Sequence, residues 1–425
     1  MPSRYRKESV GTQLTSVGAL ATFQFLSNLA FGIVSARALG PSSLAPFALA
    51  SIIVRFPIVM IKWAGPTQVV IAQQDLGAAW VQAETRRLST ITIGLAGSLL
   101  LTALWIESIV LAFCALLGTL SSLHSLGQIR IQRARRLPEA GLRLEAMLTS
   151  FIFFVNAVLT WFMWSNGSIA ILFMNQFLVA MSGWVVALRF ERLASENEND
   201  VSGGKPSSAM FEGRSMKRFR TETTLSQLLD AGRLNAIQLG VAVALPSQDV
   251  AGFWKVSGVI SGPLEAVANR QIQYLRGRSK PSPSIREPSP RIRGRRVVWL
   301  GLLPATATLF LAWLISDDLI SLLLGAAWQS YSRLAFPFLL STLGAVACWW
   351  TGLVVVQLGH PVRRLILQIL SIILCLCGAA MSKAIEADVS LYAWILLAVI
   401  LFELSLLYLT TRRYGSWLQL IVPTG

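Results

Sequence analysis

The sequence predicts an all-α integral membrane protein with about twelve membrane-crossing helices in two halves of six. Three observations predict it. First, 54% of the 425 residues are hydrophobic and only 14% are charged, whereas a soluble domain carries roughly 25% charged residues. Second, apolar runs of about 20 residues recur from Leu14 to Tyr408, the length a helix needs to cross about 30 Å of hydrocarbon. Third, the links between runs are alternately rich and poor in basic residues. Of the 37 Lys and Arg, 29 fall in links of one parity and only Arg37, Arg333 and Lys383 in the other. The positive-inside rule then places both termini in the cytoplasm.

The spans are read, in order, as residues 14–36, 43–64, 88–106, 108–127, 143–164, 167–189, 225–245, 250–274, 297–316, 334–358, 363–382 and 389–410. Span one carries Gln24 and Asn28 one turn apart. A tight turn at Gly40-Pro41 leads into span two. Residues 66–87 are less apolar, with Gln73, Gln74 and Asp75, and suit a helix lying in the cytoplasmic interface. Spans five and six are joined by the very short Asn166-Gly167-Ser168 link. The polar stretch 191–224 reads as a flexible cytoplasmic loop. It separates an N-terminal six-helix unit, 1–190, from a C-terminal one, 225–425. The link 276–296 interleaves Arg with Pro281, Pro283, Pro288 and Pro290, which forbid a regular helix; its charge anchors topology. Residues 317–332 hold a short apolar run followed by Gly325, Trp328 and Tyr331, read as a half-span or outer-interface segment.

Composition also excludes function classes. The net charge of +16 sits in membrane-flanking links, which argues against a nucleic-acid partner. The four cysteines lie in apolar runs, so no disulfide framework is expected. Two distant histidines offer no metal-ligand spacing. No phosphate-cradling lysine loop is present and no nucleophile–histidine–acid set, so neither a cofactor nor an enzymatic activity is expected.

Charge inside hydrocarbon is costly and marks a wet cavity or a partner. Five cations fall within spans: Arg55, Lys62, Arg233, Lys255 and Arg270. Arg55 lies about 18 Å of helical rise from Ser43, too deep to reach the interface easily, whereas Lys62 can snorkel inward. Span seven pairs Asp230 with Arg233 three residues on, an internal salt bridge or a gate, flanked by Asn235 and Gln238. On span eight, Lys255, Gly258, Gly262, Glu265 and Asn269 share one small, polar face. Gly258 and Gly262 permit close helix approach, while Lys255 and Glu265 point to cavity lining. Cation candidates for substrate are therefore Arg55, Arg233, Lys255 and Arg270. Coupling or gate carboxylates are Asp230, Glu265 and Glu403. Polar cavity candidates are Gln24, Asn28 and Asn269.

Three short motifs carry a family likeness. They are Ser35-Ala36-Arg37-Ala38-Leu39-Gly40-Pro41, the run from Asp249 to Trp254 (DVAGFW), and the run from Leu323 to Trp328 (LLGAAW). In order and spacing they resemble the polysaccharide-exporter and Wzx-type flippase branch of the MOP superfamily. The resemblance implies two six-helix bundles around a central cavity, related by a pseudo-twofold axis along the membrane normal. It implies alternating access and a polyprenyl-diphosphate-linked oligosaccharide as substrate, in a bacterial inner membrane. Membrane lipids and glycan-assembly enzymes are the implied partners, and a monomer the implied state. A MATE-type cation-coupled drug antiporter shares the fold, but cationic drugs want acidic cavities. A membrane glycan polymerase or ligase would carry a large outer loop, and the longest outer link here is short. The proline-rich 276–296 loop and a helix count below fourteen depart from some members of the branch.

Overall fold

The computed structural model describes residues 10–62, 96–134, 141–201, 232–278, 316–357 and 361–412, together with residues 90, 93, 94 and 229. All regular structure among them is helical. The first element, α1 (Val10–Lys62), holds spans one and two. It breaks at Gly40, whose φ of 69° and ψ of 173° leave the helical region. Glycine adopts that conformation without a steric cost, and Pro41, with its fixed φ and missing N–H, suits the first position of the second arm. The following elements are α2 (Ala96–Ile106), α3 (Ile109–Ala134), α4 (Gly141–Asn166) and α5 (Ile169–Val201). In the C-terminal half come α6 (232–244) and α7 (Ser247–Arg278). The short α8 (Ser316–Leu324) and a 3-10 helix (Ala326–Leu334) follow. Then come α9 (Ala335–Gln357), α10 (Pro361–Ala384) and α11 (Val389–Arg412).

These elements match the predicted spans. The sequence-predicted span 297–316 and the interface helix 66–87 lie outside the described residues but for Ser316 at the start of α8, and so does most of the central loop. Six stretches of the described helices are long and apolar enough to cross a membrane; one of them, Thr22–Arg55, runs through the Gly40 break and spans both arms of α1. The structure is that of an all-α, multi-span protein.

α1 packs against α3, α4 and α7; α3 and α4 pack on α5; α9 packs on α7 and α11, and α11 on α10. α6 sits close on α10: a Cβ on Gly240 would lie 2.4 Å from the Ala379 side chain, and one on Gly232 2.4 Å from Ile372. Short turns at Gly40, 107–108, 167–168, 245–246 and 385–388 reverse the chain at one end of the assembly, here termed the Gly40 end. Near these turns, Trp105, Trp161, Trp164 and Trp394 are exposed. Amphipathic indoles in a belt at one level are what a bilayer interface favours. Other exposed side chains on the helices are large and apolar, among them Phe154, Leu101 and Ile366, as lipid contact requires. The interior is apolar too, built from residues such as Leu44, Ile52, Phe253 and Phe338.

Candidate functional site

The N- and C-terminal halves meet along α1 and α7, and the seam differs along its length. At the Gly40 end it is sealed. Trp328 is fully buried and its Nε1 donates to the Ala36 carbonyl at 3.1 Å. Arg37 donates from Nε to the Leu323 carbonyl at 2.8 Å, and from Nη2 to the Leu322 carbonyl. These are the last carbonyls of α8, which lack intrahelical donors and carry the negative end of the helix dipole. Within the C-terminal half, the Tyr331 hydroxyl donates to Asp249 Oδ1 at 3.0 Å, over Gly252, where a Cβ would lie 2.4 Å from the tyrosine ring, and so braces the segment that carries Trp328. Phe47 on the second arm of α1 meets Trp254 edge-on at 5.8 Å. The three motifs of the family likeness thus converge on one junction.

Further along, one face of α7 is uncovered among the described residues. Gly258 is exposed, and a Cβ there would meet nothing within 4 Å; at Gly262 the nearest atom is Phe25 Cε2 at 3.9 Å. The expectation that Gly258 and Gly262 permit close helix approach is therefore corrected. The close approach on α7 is at Gly252, and Gly258 faces open space. Phe23 and Leu26 on the first arm of α1 are exposed as well.

The cations are distributed over this seam. Arg55 projects from the second arm with an exposed side chain. Its Nη1 lies 3.4 Å from Asn235 Oδ1 and 3.4 Å from Gln238 Oε1. Both amides sit on one face of α6 and are buried. The Asn235 amide nitrogen is buried with no hydrogen-bond partner. Arg55 therefore reaches across from the N-terminal half to two amides of α6. Lys255 is 9% exposed and faces the first arm at Gly32, where a Cβ would lie 3.6 Å from Nζ. Its ammonium lies 5.9 Å from the Trp254 ring centroid.

Arg233 is placed differently from its expected cavity position. It lies 4% exposed inside the C-terminal half and forms an ion pair with Glu403 of α11, itself 3% exposed. Ser371 of α10 donates to the same carboxylate oxygen at 2.7 Å. Asp230, its expected intrahelical partner, lies outside the described residues. The physical reason is helical facing: Arg233 turns toward α10 and α11, while Asn235 and Gln238 turn toward Arg55. Glu403, expected as a coupling carboxylate, is neutralised by this pair. The side chains of Lys62, Glu265, Asn269 and Arg270 lie outside the described residues, although their backbone is helical.

Asn28, expected as a cavity group, accepts from Asn156 Nδ2 at 2.7 Å, and the same nitrogen contacts Ser27 Oγ at 2.8 Å. Asn175 donates to Asn156 Oδ1 at 2.7 Å. This network ties α1 to α4 and α5 as interhelical hydrogen bonds. Gln24 is half-buried. Sequence reasoning missed Ser371 and the bridging role of Arg37; Trp328 and Tyr331 had been noted only in the irregular outer segment, and Asp249 only as a motif end.

No protein-family model matches the sequence. No curated protein matches it either. Solved structures do match in fold. An outward-facing multidrug resistance MATE family transporter of the MOP superfamily superposes with a TM-score of 0.58 at 12% identity, over 95% of each chain. An inward-facing MATE family transporter of the same superfamily gives 0.54 at 13% identity, over 94% of this chain and 98% of that one. A MOP superfamily transporter from Pyrococcus furiosus gives 0.51 at 14% identity, over 96% and 98%; reverse polarity of its binding pocket is described as suggesting a different function. The fold is that of MATE and MOP transporters.

Proposed function

We propose that the chain is an alternating-access transporter that moves a polyprenyl-diphosphate-linked oligosaccharide across a bacterial inner membrane, with both termini cytoplasmic. One observation carries the reading: the exposed guanidinium of Arg55 reaches from the second arm of α1 to the amides of Asn235 and Gln238 on α6, across the two halves. A diphosphate is an anion that must pass apolar lipid, and a guanidinium supplies paired, charge-assisted hydrogen bonds to it. The polyprenyl chain stays in lipid while the headgroup follows the seam. The halves 1–190 and 225–425 rock against each other about this site. Membrane lipids surround the protein, glycan-assembly enzymes supply the substrate, and the unit is a monomer without a cofactor. We read it as a non-enzyme.

A second reading is a MATE-type cation-coupled drug antiporter, which the fold suits equally. A cationic drug needs an acidic partner in the cavity, and among the described residues Glu403 is held by Arg233, which favours the anionic substrate. Reconstitution in proteoliposomes separates the two. The first reading expects translocation of a fluorescent polyprenyl-diphosphate glycan and no gradient-driven ethidium movement. Ethidium transport without glycan translocation would select the second.

A further inference from the structure

Glu403 is a carboxylate buried inside the C-terminal half, and both side chains seen to hold it belong to that half. Arg233 of α6 forms the ion pair, and Ser371 of α10 donates to the same oxygen at 2.7 Å. All three residues are buried. Helix rotation explains the placement. Gly240 follows Arg233 by nearly two full turns and faces α10, where a Cβ would lie 2.4 Å from the Ala379 side chain. Asn235 and Gln238, which receive Arg55, lie roughly 200° and 140° around the helix from Arg233. The pair is thus on the side of α6 turned away from the seam. Cys348 of α9 and Cys375 of α10 feel both charges of the pair, and Arg364 near the start of α10 acts on Cys348. Arg364 stands roughly 10 Å of helical rise from Ser371. A carboxylate in an apolar interior needs a positive partner. Where that partner is a mobile ion, the site can load and unload. Here it is a guanidinium, which does not leave and does not lose its proton.

Resting on the rocking of two halves proposed above, we infer that Arg233 is a built-in counter-cation for Glu403: it travels with the carboxylate through the cycle, so Glu403 neither takes up nor releases a small monovalent cation, and loss of the guanidinium alone turns this pocket into a cation site. α6, α10 and α11 move together when the halves rock, so the ion pair keeps its geometry in both orientations. Glu403 therefore does not couple transport to a sodium or proton gradient. With Arg233 replaced by a neutral side chain of similar length, the carboxylate is left with the Ser371 hydroxyl, and the missing charge is supplied from solution by sodium or by a proton. No covalent step is involved.

The first test needs no transported substrate. Melting temperatures of the full-length protein in detergent are compared in sodium chloride and in choline chloride. The proteins are the wild type, Arg233→Met, and Arg233→Met combined with Glu403→Leu. Sodium raises the melting temperature of Arg233→Met by about 3 °C, the effect of a ligand at roughly ten times its dissociation constant. The wild type and the double variant respond alike. Acidifying the choline medium also stabilises Arg233→Met relative to the double variant, because a proton discharges the stranded carboxylate; that benefit is lost as the pH rises. The two media separate sodium from the proton. A sodium or acid response in the wild type that the double variant lacks would place a mobile cation on Glu403 and overturn the inference. So would an Arg233→Met protein that responds to neither more than the double variant does. The second test keeps the question decidable where Arg233→Met does not fold. In proteoliposomes the double variant translocates a fluorescent polyprenyl-diphosphate glycan at the wild-type rate, with the wild type's dependence on sodium and pH. A rate about tenfold lower at an unchanged melting temperature would mean that the charge of Glu403 is used in the cycle, against the inference. Failure of the wild type to move the probe would remove the proposed substrate, while the melting comparison still decides on Glu403.

Discussion

Gly252 and Gly258 lie on one helix, six residues apart, in opposite surroundings. A Cβ on the first would press into the Tyr331 ring at 2.4 Å, and one on the second would meet nothing within 4 Å. α7 is thus pressed at Gly252 against the 3-10 helix of its own half, and at Gly258 it turns a bare face to open space while Val259 and Ile260 beside it stay buried. The side chains divide in the same way. Around the locked part, polar groups are used up between protein atoms: Arg37 on carbonyls, Trp328 on Ala36, Tyr331 on Asp249. Beside the open part, Arg55 keeps an exposed charge against two neutral amides. Tight closure needs small residues and satisfied hydrogen bonds, whereas binding an anion needs an accessible charge. One helix supplies both because they occupy different faces and turns of it.

Substitutions can break or sharpen this contrast. The largest effect on folding is expected in the C-terminal interior, where Arg233→Ala or Glu403→Ala strands a buried charge and costs about 3–5 kcal/mol. The double change Arg233→Met with Glu403→Leu should recover most of it in denaturant unfolding. A single change that left stability intact would mean that the pair is not structural. Next, Gly252→Ala overpacks the junction and costs about 1–3 kcal/mol, read as a lower melting temperature in detergent. Tyr331→Phe removes one hydrogen bond, about 1 kcal/mol. The smallest effect belongs to Gly258→Ala: no loss, and a gain of up to about 1 kcal/mol from helix propensity. Equal destabilisation by Gly252→Ala and Gly258→Ala would erase the distinction between closed and open stretches.

Much of the fold was legible from the length of apolar runs, since a bilayer forces spans to about 20 residues. Gly40-Pro41 could be read as a turn because few other residue pairs accept that backbone and then start a helix. The irregular piece after span nine was visible in the glycine and aromatics of 325–331. The candidate site was legible only as a set of out-of-place charges. Which way each one turns depends on helix rotation, which the sequence of a nearly all-apolar helix constrains weakly. Hence Arg233, read as a cavity cation or a partner of Asp230, is found with a second partner in Glu403, 170 residues away. The same limit hid the role of Gly258, because a GxxxG spacing describes a surface that can pack without saying whether a neighbour is there. The motifs LLGAAW and DVAGFW pointed to family likeness, and their meeting at Ala36 and Arg37 was not visible in their spacing.

The central claim is that a positive charge on the open seam receives an anionic lipid headgroup. Its most direct test is the initial rate at which full-length protein in proteoliposomes translocates a fluorescent polyprenyl-diphosphate glycan, wild type against Arg55→Ala. The account predicts a fall of about tenfold or more with normal insertion and melting temperature, and partial recovery in Arg55→Lys. A wild-type rate in Arg55→Ala would contradict it.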